Sequence, residues 1–379
     1  MGQMKIPRSY NNLNKYLEEQ KALIIYGPRQ VGKTTLLNDF LSSTKFRYRL
    51  DNGDNIRTQH LLGSQDLEKI LAYCEGFELI AIDEAQKIPH IGTALKMMVD
   101  HMPNIRVIVT GSSSFALSGE VGEPLTGRKT TLTLFPIAQL ELLSLFNKQQ
   151  LGEKWKERLI FGSYPDILTA SSKEQKQRRI SELAESYLLK DILELEKIKN
   201  SKILLDLLRL MAFQIGSEVS MNELGSQLGI DTKTVQRYLD LLEKSFVVFN
   251  VRGFSRNLRK EITKKSKYFF YDCGIRNAII ANFNDVELRN DIGALWENFI
   301  FSERLKYRNY KDMVANCYFW RTWDQHEIDM IEEREGKLFA YELKWKEGKK
   351  TQVPRDWQKA YPESEYHVIT PENFLSFIS

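Results

Sequence analysis

The segment that most constrains the fold is a glycine-rich loop, Gly27-Pro28-Arg29-Gln30-Val31-Gly32-Lys33-Thr34. It follows an apolar run typical of a buried parallel strand and precedes an apolar helical start, which is the context of a phosphate-binding loop. The two glycines let the backbone curl so that successive N–H groups point at one centre, where the helix adds its positive end. We therefore predict an ATP site in which Lys33 reaches the β- and γ-phosphates and the Thr34 hydroxyl ligates Mg²⁺. The residues predicted to contact ATP here are Gly27, Pro28, Arg29, Gln30, Val31, Gly32, Lys33, Thr34 and Thr35.

A second apolar run, Leu79–Ile82, ends in two acids, Asp83 and Glu84. In an open parallel sheet, the carboxyl ends of the strands face the ligand. We predict that Asp83 holds Mg²⁺, directly or through water, and that Glu84 orients and deprotonates the attacking water. Acids after an apolar strand are common alone, but downstream of a phosphate loop they favour nucleotide hydrolysis.

A third apolar run, Arg106–Thr110, ends in a polar turn that contains Ser112. Thr110 or Ser112 is a candidate for sensing the γ-phosphate, although a plain polar turn explains the pattern equally well. Further on, Arg128 precedes a predicted strand, and the order strand, polar residue, helix, arginine, strand resembles AAA-type ATPases. In those proteins the arginine reaches the nucleotide of the neighbouring subunit. The resemblance makes Arg128 a candidate arginine finger acting in trans, and a solvated arginine is the alternative.

Size and composition favour a cytoplasmic protein of several domains. The 379 residues correspond to roughly two to four domains. The net charge of +4 requires that any affinity for nucleic acid come from local clusters. The three cysteines are far apart, which argues against a disulfide framework or zinc site. No run approaches the ~18 apolar residues of a membrane span, and residues 1–20 lack the core of a signal peptide and predict a short lead-in helix.

Helical patterns dominate after residue 136, and within them lies a helix–turn–helix pattern between Ser220 and Lys244. Asp231 is the predicted N-cap of the second helix, and an apolar strand follows, as in a winged-helix domain. Winged helices bind DNA, but they also bind proteins. The outward-facing residues near the start of the second helix are the predicted DNA contacts, namely Lys233, Thr234, Gln236 and Arg237.

A basic run follows, with seven cations among sixteen residues from Arg252 to Lys267. Such density suits a phosphate backbone, whereas a solvated charged linker is the alternative. The residues of this run predicted to contact DNA are Arg256, Arg259, Lys260, Lys264 and Lys265.

Near the C-terminus, Asp329 is followed thirteen residues later by Glu342-Leu343-Lys344, the acid…acid-x-lysine pattern of restriction-endonuclease-like cores. Positions 342 and 344 of a strand project to the same face. Asp329 and Glu342 are candidate ligands of a second Mg²⁺, Glu297 of the preceding helix is a further one, and Lys344 would polarise water or the scissile phosphate. Because a fold does not fix an activity, cleavage and a vestigial, binding-only domain both stay open.

Taken together, these segments resemble a large prokaryotic family of ATPases. The motifs are GPRQVGKT, IDEAQ, TGSSS, LTGR, FGSYPD, YDCGI, LWENFI, FWRT, EIDM and ELK. The chain departs from the family at Ser163, where a second glycine is usual, and at His326. The resemblance implies an α/β fold with a P-loop AAA-type parallel-sheet core (1–136), an α-helical lid (137–200), a winged-helix domain (201–255) and an α/β nuclease-like, PD-(D/E)XK-like domain (256–379).

The leading hypothesis is a cytoplasmic, Mg²⁺-dependent ATPase that forms a homo-oligomeric ring, expected to be a hexamer, and acts on DNA. ATP hydrolysis would drive remodelling or translocation of DNA at forks or junctions, and no membrane is expected to take part. One alternative is an ATP-gated, metal-dependent DNA nuclease of the defence type. Another is a nucleotide-dependent assembly switch that binds a protein or a promoter.

Overall fold

The computed structural model describes residues 6–111, 124–186, 201–255, 266–322, 324–346 and 352–379. The chain forms two compact units: the first contains residues 7–136 and 244–246, and the second contains residues 137–243 and 247–379 together with Ile6. In the described ranges, no helix combines the length and the apolar character needed to cross a membrane.

The first unit is built on a five-stranded sheet of order β2-β3-β4-β1-β5 in which every pair is parallel. All residues of β1 and β3 are buried, as expected for strands that are covered on both faces. This sheet confirms the predicted α/β class. The strands are β1 (Ala22–Tyr26), β2 (Tyr48–Asn52), β3 (Leu79–Asp83), β4 (Arg106–Gly111) and β5 (Lys129–Thr133), and the helices are Lys33–Ser43, Ile56–Leu62, Leu67–Cys74 and Ile91–His101.

The strand order places the two predicted catalytic loops at one edge of this sheet. Tyr26 at the end of β1 pairs with Gly111 at the end of β4, and Ile82 of β3 pairs with Val109 of β4. Because all strands run the same way, the loops after β1, β3 and β4 leave from the same edge.

The predicted lead-in helix over residues 1–20 is wrong in its described part. Between residues 6 and 20 there is a single 3₁₀ turn, Leu13–Tyr16, which ends at an extended Leu17. Pro7 lacks an N–H and disfavours helix in the residue before it, and asparagine favours caps and turns, as Asn12 does here. Burial of Tyr10 and Leu13 holds the segment instead.

The second unit contains a seven-stranded mixed sheet of order β12-β11-β10-β9-β7-β8-β6. Its strands are β6 (Glu218–Val219), β7 (Val248–Gly253), β8 (Ser266–Phe270), β9 (Asn316–Arg321), β10 (Glu327–Arg334), β11 (Lys337–Leu343) and β12 (Glu365–Ile369). Its helices are Gln139–Leu142, Lys148–Phe161, Pro165–Leu168, Lys173–Ser186, Ser201–Phe213, Met221–Leu228, Thr232–Lys244, Cys273–Ile279, Ile292–Tyr310, Arg355–Ala360 and Phe374–Ile378.

This sheet is continuous across residue 255, where a domain boundary is predicted. Strand β7 pairs in parallel with β9 through Arg252 with Tyr318 and Gly253 with Phe319. The N–H of Phe254 then donates to the carbonyl of Phe319 at 2.6 Å, and the Phe254 ring lies in the core formed with Trp320 and Trp357. The predicted boundaries stay predictions, but the structure joins the segments on both sides of this one by backbone hydrogen bonds.

A buried carboxylate fastens the loop after the helix Lys148–Phe161 to the helix Cys273–Ile279. The Asp272 side chain accepts hydrogen bonds from the N–H groups of Ser163 (2.7 Å), Gly274 (2.8 Å) and Ile275 (3.2 Å). Gly162 has a φ of 78°, and a Cβ there would lie 1.9 Å from an oxygen of Asp272, so only glycine fits. The FGSYPD and YDCGI segments are therefore the two sides of one contact.

Candidate active site

The glycine-rich loop of the first unit folds tightly against the backbone that follows β5. A Cβ on Gly27 would lie 2.0 Å from the carbonyl oxygen of Leu134, and Gly32 has a φ of 95°. Both positions therefore require glycine. The Lys33 side chain is 5% exposed and curls back over the loop, donating from Nζ to the carbonyls of Gly27 (2.9 Å) and Pro28 (2.6 Å). The loop and its lysine thus form a compact cradle lined by backbone groups.

Arg8, which no sequence pattern indicated, holds the glycine-rich loop through hydrogen bonds to backbone carbonyls. Arg8 donates from Nη1 to the carbonyl of Val31 (2.5 Å) and from Nη2 to the carbonyl of Phe135 (2.7 Å). One guanidinium therefore ties the phosphate loop to the chain beyond β5. Arg8 lies outside any recognisable pattern, and contacts at sequence separations of 23 and 127 residues leave no local signal that could have found it.

The acid at the end of β3 is held by two hydroxyl groups. The Thr34 hydroxyl donates to Oδ2 of Asp83 at 2.8 Å, and the Thr110 hydroxyl donates to Oδ1. The N–H of Glu84 in turn donates to the Thr110 hydroxyl at 3.2 Å. The structure thus brings the predicted site residues Thr34, Asp83 and Glu84 together. The Thr110 hydroxyl links Asp83 to the Glu84 N–H. Ser112, the other sensor candidate, lies outside the described residues.

The peptide that carries Glu84 is fixed in an uncommon conformation. Glu84 has a φ of 52°, which non-glycine residues adopt mainly where the surroundings enforce it. The N–H of Gly53, just after β2, donates to the carbonyl of Asp83 at 2.8 Å, and a Cβ on Gly53 would lie 2.1 Å from the Glu84 carbonyl oxygen. The Gln86 amide donates to the Glu84 carboxylate. The loop therefore presents this carboxylate in one defined orientation.

The residues present fit a nucleoside triphosphate with Mg²⁺. The cradle leaves no room for a Cβ at Gly27, and backbone N–H groups with a lysine are the donors that phosphates require. Thr34 and Asp83 would hold the Mg²⁺. In the described part of the chain, no three histidine, cysteine, aspartate or glutamate side chains are grouped to hold a metal. A Mg²⁺ that takes one or two protein ligands and its other oxygens from phosphate and water is compatible with that finding.

Arg128 lies at the opposite end of the sheet from this cradle. Its carbonyl accepts the N–H of Ala22, the first residue of β1, at 2.9 Å, whereas the cradle follows the last residue of β1. Its side chain is 44% exposed and forms an ion pair with Asp100. The arginine is therefore remote from the nucleotide cradle of its own chain.

In the second unit, the structure brings three of the predicted C-terminal residues together. The Lys344 ammonium contacts Oε1 of Glu342 at 2.5 Å, and the N–H of Leu343 donates to Oδ2 of Asp329 at 2.7 Å. Glu297 on the helix Ile292–Tyr310 lies near enough to share their electrostatic field. We call Glu297, Asp329 and Glu342, with Lys344, the acidic cluster.

Burial dominates the protonation of the acidic cluster. Burial, with the charge of Asp329 added, raises the pKa of Glu297 to about 8, and burial with the charge of Glu342 raises the pKa of Asp329 to about 6. Burial of the Lys344 ammonium lowers its pKa, but the hydrogen bond to Glu342 and the charges of Glu342, Asp329 and Glu297 together outweigh burial, and the net pKa is raised. These carboxylates do not form a group of three placed to hold a metal ion in the described structure, so the second metal site stays a prediction.

The predicted DNA contacts of the helix Thr232–Lys244 are mostly on its surface. Lys233, Gln236 and Arg237 are exposed, although the Gln236 amide is engaged by Asp240 at 2.8 Å. Thr234 is engaged at the helix start instead, because its N–H (2.9 Å) and hydroxyl (2.7 Å) both donate to the capping carboxylate of Asp231. The remaining predicted DNA contacts lie outside the described residues, namely Arg256, Arg259, Lys260, Lys264 and Lys265.

Comparison with known families covers most of the chain in three pieces. A family model described as an AAA domain matches residues 19–143. Models described as domains of unknown function match residues 152–286 (DUF8612) and 292–377 (DUF4143). The Ser163 and Asp272 contact lies within the first of these two, and Asp329 and Glu342 lie within the second.

Relatives from distant prokaryotes match along most of their length. A protein of Mycobacterium tuberculosis is 27% identical over 338 residues, which is 88% of this chain and 72% of that protein. A protein of Haemophilus influenzae is 24% identical over 344 residues (84% and 81%), and one of Methanocaldococcus jannaschii is 23% identical over 366 residues (90% and 80%). All three are described as uncharacterized. The AAA-domain match, the strand order and the cradle together show that the first unit is a P-loop AAA-type core.

Proposed function

We propose that the protein is a Mg²⁺-dependent ATPase whose active site is the cradle of the first unit. The observation that carries this proposal is the placement of Asp83 between the Thr34 and Thr110 hydroxyls, beside the glycine loop. A carboxylate held in this way keeps its oxygens oriented toward the phosphate loop without rearrangement. The AAA-domain match over residues 19–143 supports nucleotide binding.

Each residue of the site has one task in this proposal. Lys33 would bind the phosphate oxygens, and Thr34 with Asp83 would hold the Mg²⁺, which would neutralise charge that develops on the phosphates. Glu84 accepts the proton of the attacking water, and its fixed backbone and the Gln86 amide orient the carboxylate for this transfer. Arg8 keeps the loop in shape through its two carbonyl contacts.

Replacing Glu84 with glutamine tests the assignment. We expect ATP binding to persist and hydrolysis to fall about 10²–10⁴-fold, the usual loss for a general base. The matched control is Glu75→Gln, which makes the same chemical change at an exposed residue and should leave turnover unchanged. Turnover by Glu84→Gln at the control's rate would show that this carboxylate is not the base.

We further propose that hydrolysis requires a homo-oligomeric ring in which Arg128 completes the site of the neighbouring subunit. The position of Arg128 at the sheet end opposite its own cradle supports this arrangement. Mixing inactive Arg128→Ala chains with inactive Lys33→Ala chains should restore part of the hydrolysis, because some interfaces then carry both residues. No recovery on mixing, with intact oligomers, would contradict action in trans.

We propose DNA as the partner on which this ATPase acts, by remodelling or translocation. The support lies in the second unit, where helix Ser201–Phe213, β6, helices Met221–Leu228 and Thr232–Lys244, and then β7 and β8 follow in the order of a winged helix. Strand β8 pairs antiparallel with both β6 and β7. Exposed Lys233 and Arg237 lie near the start of the second of the paired helices, where a recognition helix contacts DNA.

The DNA proposal is tested by anisotropy of labelled single-stranded, duplex and branched DNA, with ATPase rates measured in the same samples. A Lys233→Gln and Arg237→Gln double variant should bind more weakly and show a smaller dependence on salt concentration, because two phosphate contacts are lost. A matched double variant, Lys173→Gln with Arg178→Gln, removes an exposed lysine and an exposed arginine of the helix Lys173–Ser186, outside the winged helix. Equal binding by both double variants would remove this helix from the DNA site.

A second candidate function is metal-dependent cleavage of DNA by the acidic cluster. The observation that favours cleavage is the contact of Glu342 with Lys344 beside Asp329. Asp329 and Glu342 lie on the antiparallel strands β10 and β11, which follow the long helix Ile292–Tyr310 in the sequence. With Mg²⁺ or Mn²⁺ and ATP, cleavage of plasmid DNA should disappear in Asp329→Asn and Lys344→Met. Cleavage that survives in both variants, or no cleavage by the wild type, would leave ATP hydrolysis as the sole proposed chemistry.

A reducing compartment such as the cytoplasm is the proposed location. Burial raises the pKa values of the Cys74 and Cys273 thiols, each to about 12. These thiols are buried and free, and such thiols are typical of intracellular proteins.

A further inference from the structure

A cavity of about 400 Å³ lies in the second unit, between the sheet and the C-terminal helix. Its wall contains two guanidinium groups, Arg304 and Arg334, and the aromatic side chains of Tyr307, Tyr341, His367 and Phe377. The volume is within the range of small-molecule sites, ~300–1,000 Å³. Tyr341 and Glu342 are successive residues of β11 and therefore point to opposite faces of the sheet. The cavity is thus separate from the acidic cluster.

The cavity wall carries an excess of positive charge. Glu332 is fully buried and is the one carboxylate that Arg304, Arg308 and Arg334 contact in the described structure, at 2.7, 3.7 and 3.9 Å. Arg304 takes both oxygens of Glu332, with Nε at 2.8 Å and Nη2 at 2.7 Å. The two guanidinium groups of the cavity wall and the Glu332 carboxylate together carry a net charge of +1, and Arg308, which contacts Glu332 but is not part of the wall, adds a further positive charge beside it.

Arg334 is the guanidinium with the weakest set of hydrogen-bond partners. Its Nη1 donates to the Met313 sulfur at 3.7 Å and its Nη2 to the Tyr341 hydroxyl at 3.3 Å. Its Nε is buried and has no hydrogen-bond acceptor in the described structure. A guanidinium taken partly out of water normally has a carboxylate or phosphate oxygen on its fork. The Phe339 ring, 3.8 Å below its centre, holds the plane of this fork in place.

We propose that this cavity binds the phosphate group of a phosphate monoester, with Arg334 as the main ligand. The surplus positive charge of the wall attracts the monoester anion, and two of its oxygens can accept hydrogen bonds from the two N–H groups of the guanidinium fork. The aromatic walls suit the organic part of a nucleotide. The same chemistry is offered by a free nucleoside monophosphate and by the 5′-phosphate end of a nucleic-acid strand.

The experiment is calorimetric titration of the full chain carrying Lys33→Ala, so that the phosphate loop of the first unit does not compete. The probes are inorganic phosphate, AMP, adenosine, and an oligonucleotide with a 5′-phosphate or a 5′-hydroxyl. Adding Arg334→Gln should weaken the binding of phosphate and AMP about tenfold or more, as expected for one lost charge-assisted hydrogen-bond pair. Adding Arg334→Lys, which keeps the charge, should weaken it less. Arg178→Gln is the control, since Arg178 is exposed elsewhere.

The outcomes separate the proposal from its alternatives. Binding of AMP and phosphate but not of adenosine, with the expected order of the variants, supports the site. Tighter binding of the 5′-phosphorylated oligonucleotide than of its hydroxyl form identifies a strand end as the source, and equal binding of the two identifies a free nucleotide. Failure of both phosphate and AMP to bind, or equal affinity in Arg334→Gln at an unchanged melting temperature, overturns it.

Discussion

The two units each carry a lysine and acids at strand ends, but they hold those acids in opposite ways. In the first unit, Asp83 accepts two hydroxyl hydrogen bonds, from Thr34 and Thr110. In the second unit, Glu297 and Asp329 lie among other carboxylates, and burial with mutual repulsion raises their pKa values to about 8 and about 6. The first site holds its carboxylate through hydrogen-bond donors, whereas in the second site burial and neighbouring carboxylates favour the protonated form of Glu297 at neutral pH.

The largest difference between the two units is expected in the rate of ATP hydrolysis after replacement of their lysines, Lys33 and Lys344. Lys33→Ala should reduce ATP hydrolysis about 10³-fold or more, because it removes the charge that stabilises the transferring phosphate. Lys344→Ala, in the acidic cluster, should leave the ATPase rate of the DNA-free protein within about twofold, because the two sites differ in chemistry. Steady-state phosphate release measures both. An equal loss in the two variants would mean that hydrolysis depends on both clusters.

The next largest effect concerns pH and the stability of the second unit. The pKa of Glu297 is raised from 4.5 to about 8, so the folded state binds more protons than the unfolded state between these values. The free energy of unfolding should therefore be larger near pH 5 and fall as the pH rises through 8, by about 2–4 kcal/mol. All six tryptophans lie between residues 155 and 357, so their fluorescence in urea, with EDTA present, follows this unit.

Glu297→Gln is the variant that checks this pH effect. A neutral amide cannot titrate, so the decline in unfolding free energy between pH 5 and 8 should become shallower. Glu363→Gln, an exposed change in the same unit, should leave the slope as in the wild type. A wild-type unit that gains stability as the pH rises from 5 to 8 would contradict the raised pKa of Glu297.

A smaller effect is expected from the hydroxyl that holds Asp83. Thr110→Val keeps the shape of the side chain but removes the donor to Asp83 and the acceptor of the Glu84 N–H. We expect the rate of hydrolysis to fall about 10–100-fold, the usual cost of losing a group that orients a metal ligand, with ATP affinity little changed. Thr110→Ser should recover most of the rate. Full activity of the valine variant would remove Thr110 from the site.

The smallest effect is expected from removing the Tyr366 hydroxyl, which lies near the acidic cluster of the second unit. Burial, with the charges of Glu342 and Asp329, raises the pKa of Tyr366, and its buried hydroxyl has no hydrogen-bond partner in the described structure. Tyr366→Phe should therefore change the free energy of unfolding by less than about 0.5 kcal/mol, because no bond is broken. Urea titration followed by tryptophan fluorescence measures this. A loss above 2 kcal/mol would mean that this hydroxyl supports the acidic cluster after all.

The parts that the sequence predicted well are those with local patterns. The strands β1, β3 and β4 and the helix after the glycine loop follow from apolar periodicity and glycine placement. The contact of Thr34 with Asp83 follows from the rule that parallel strands end at one edge. Local patterns also misled, because the lead-in segment had helical composition but Pro7 and the asparagines favour a turn.

The parts that could not be predicted depend on contacts between distant residues. The bonds of Arg8 to the phosphate loop and the bond of Ser163 to Asp272, 109 residues away, have no periodic pattern. Whether Thr110 or Ser112 contacts the site cannot be predicted from the sequence either, because both residues lie at the end of the same predicted strand. The pairing of β7 with β9 involves few residues, and such short parallel pairs are not specified by hydrophobic alternation.

The pairing of β7 with β9 has a practical consequence for anyone who divides this protein. Cutting the chain after residue 255 would separate β7 from β9, which are joined by backbone hydrogen bonds. Each fragment would then have a sheet edge with unpaired backbone groups. Freshly exposed N–H and C=O groups recruit other chains, so both fragments are expected to precipitate. A split near residue 137, where the sequence passes from one compact unit to the other, breaks none of the strand pairs in the described ranges.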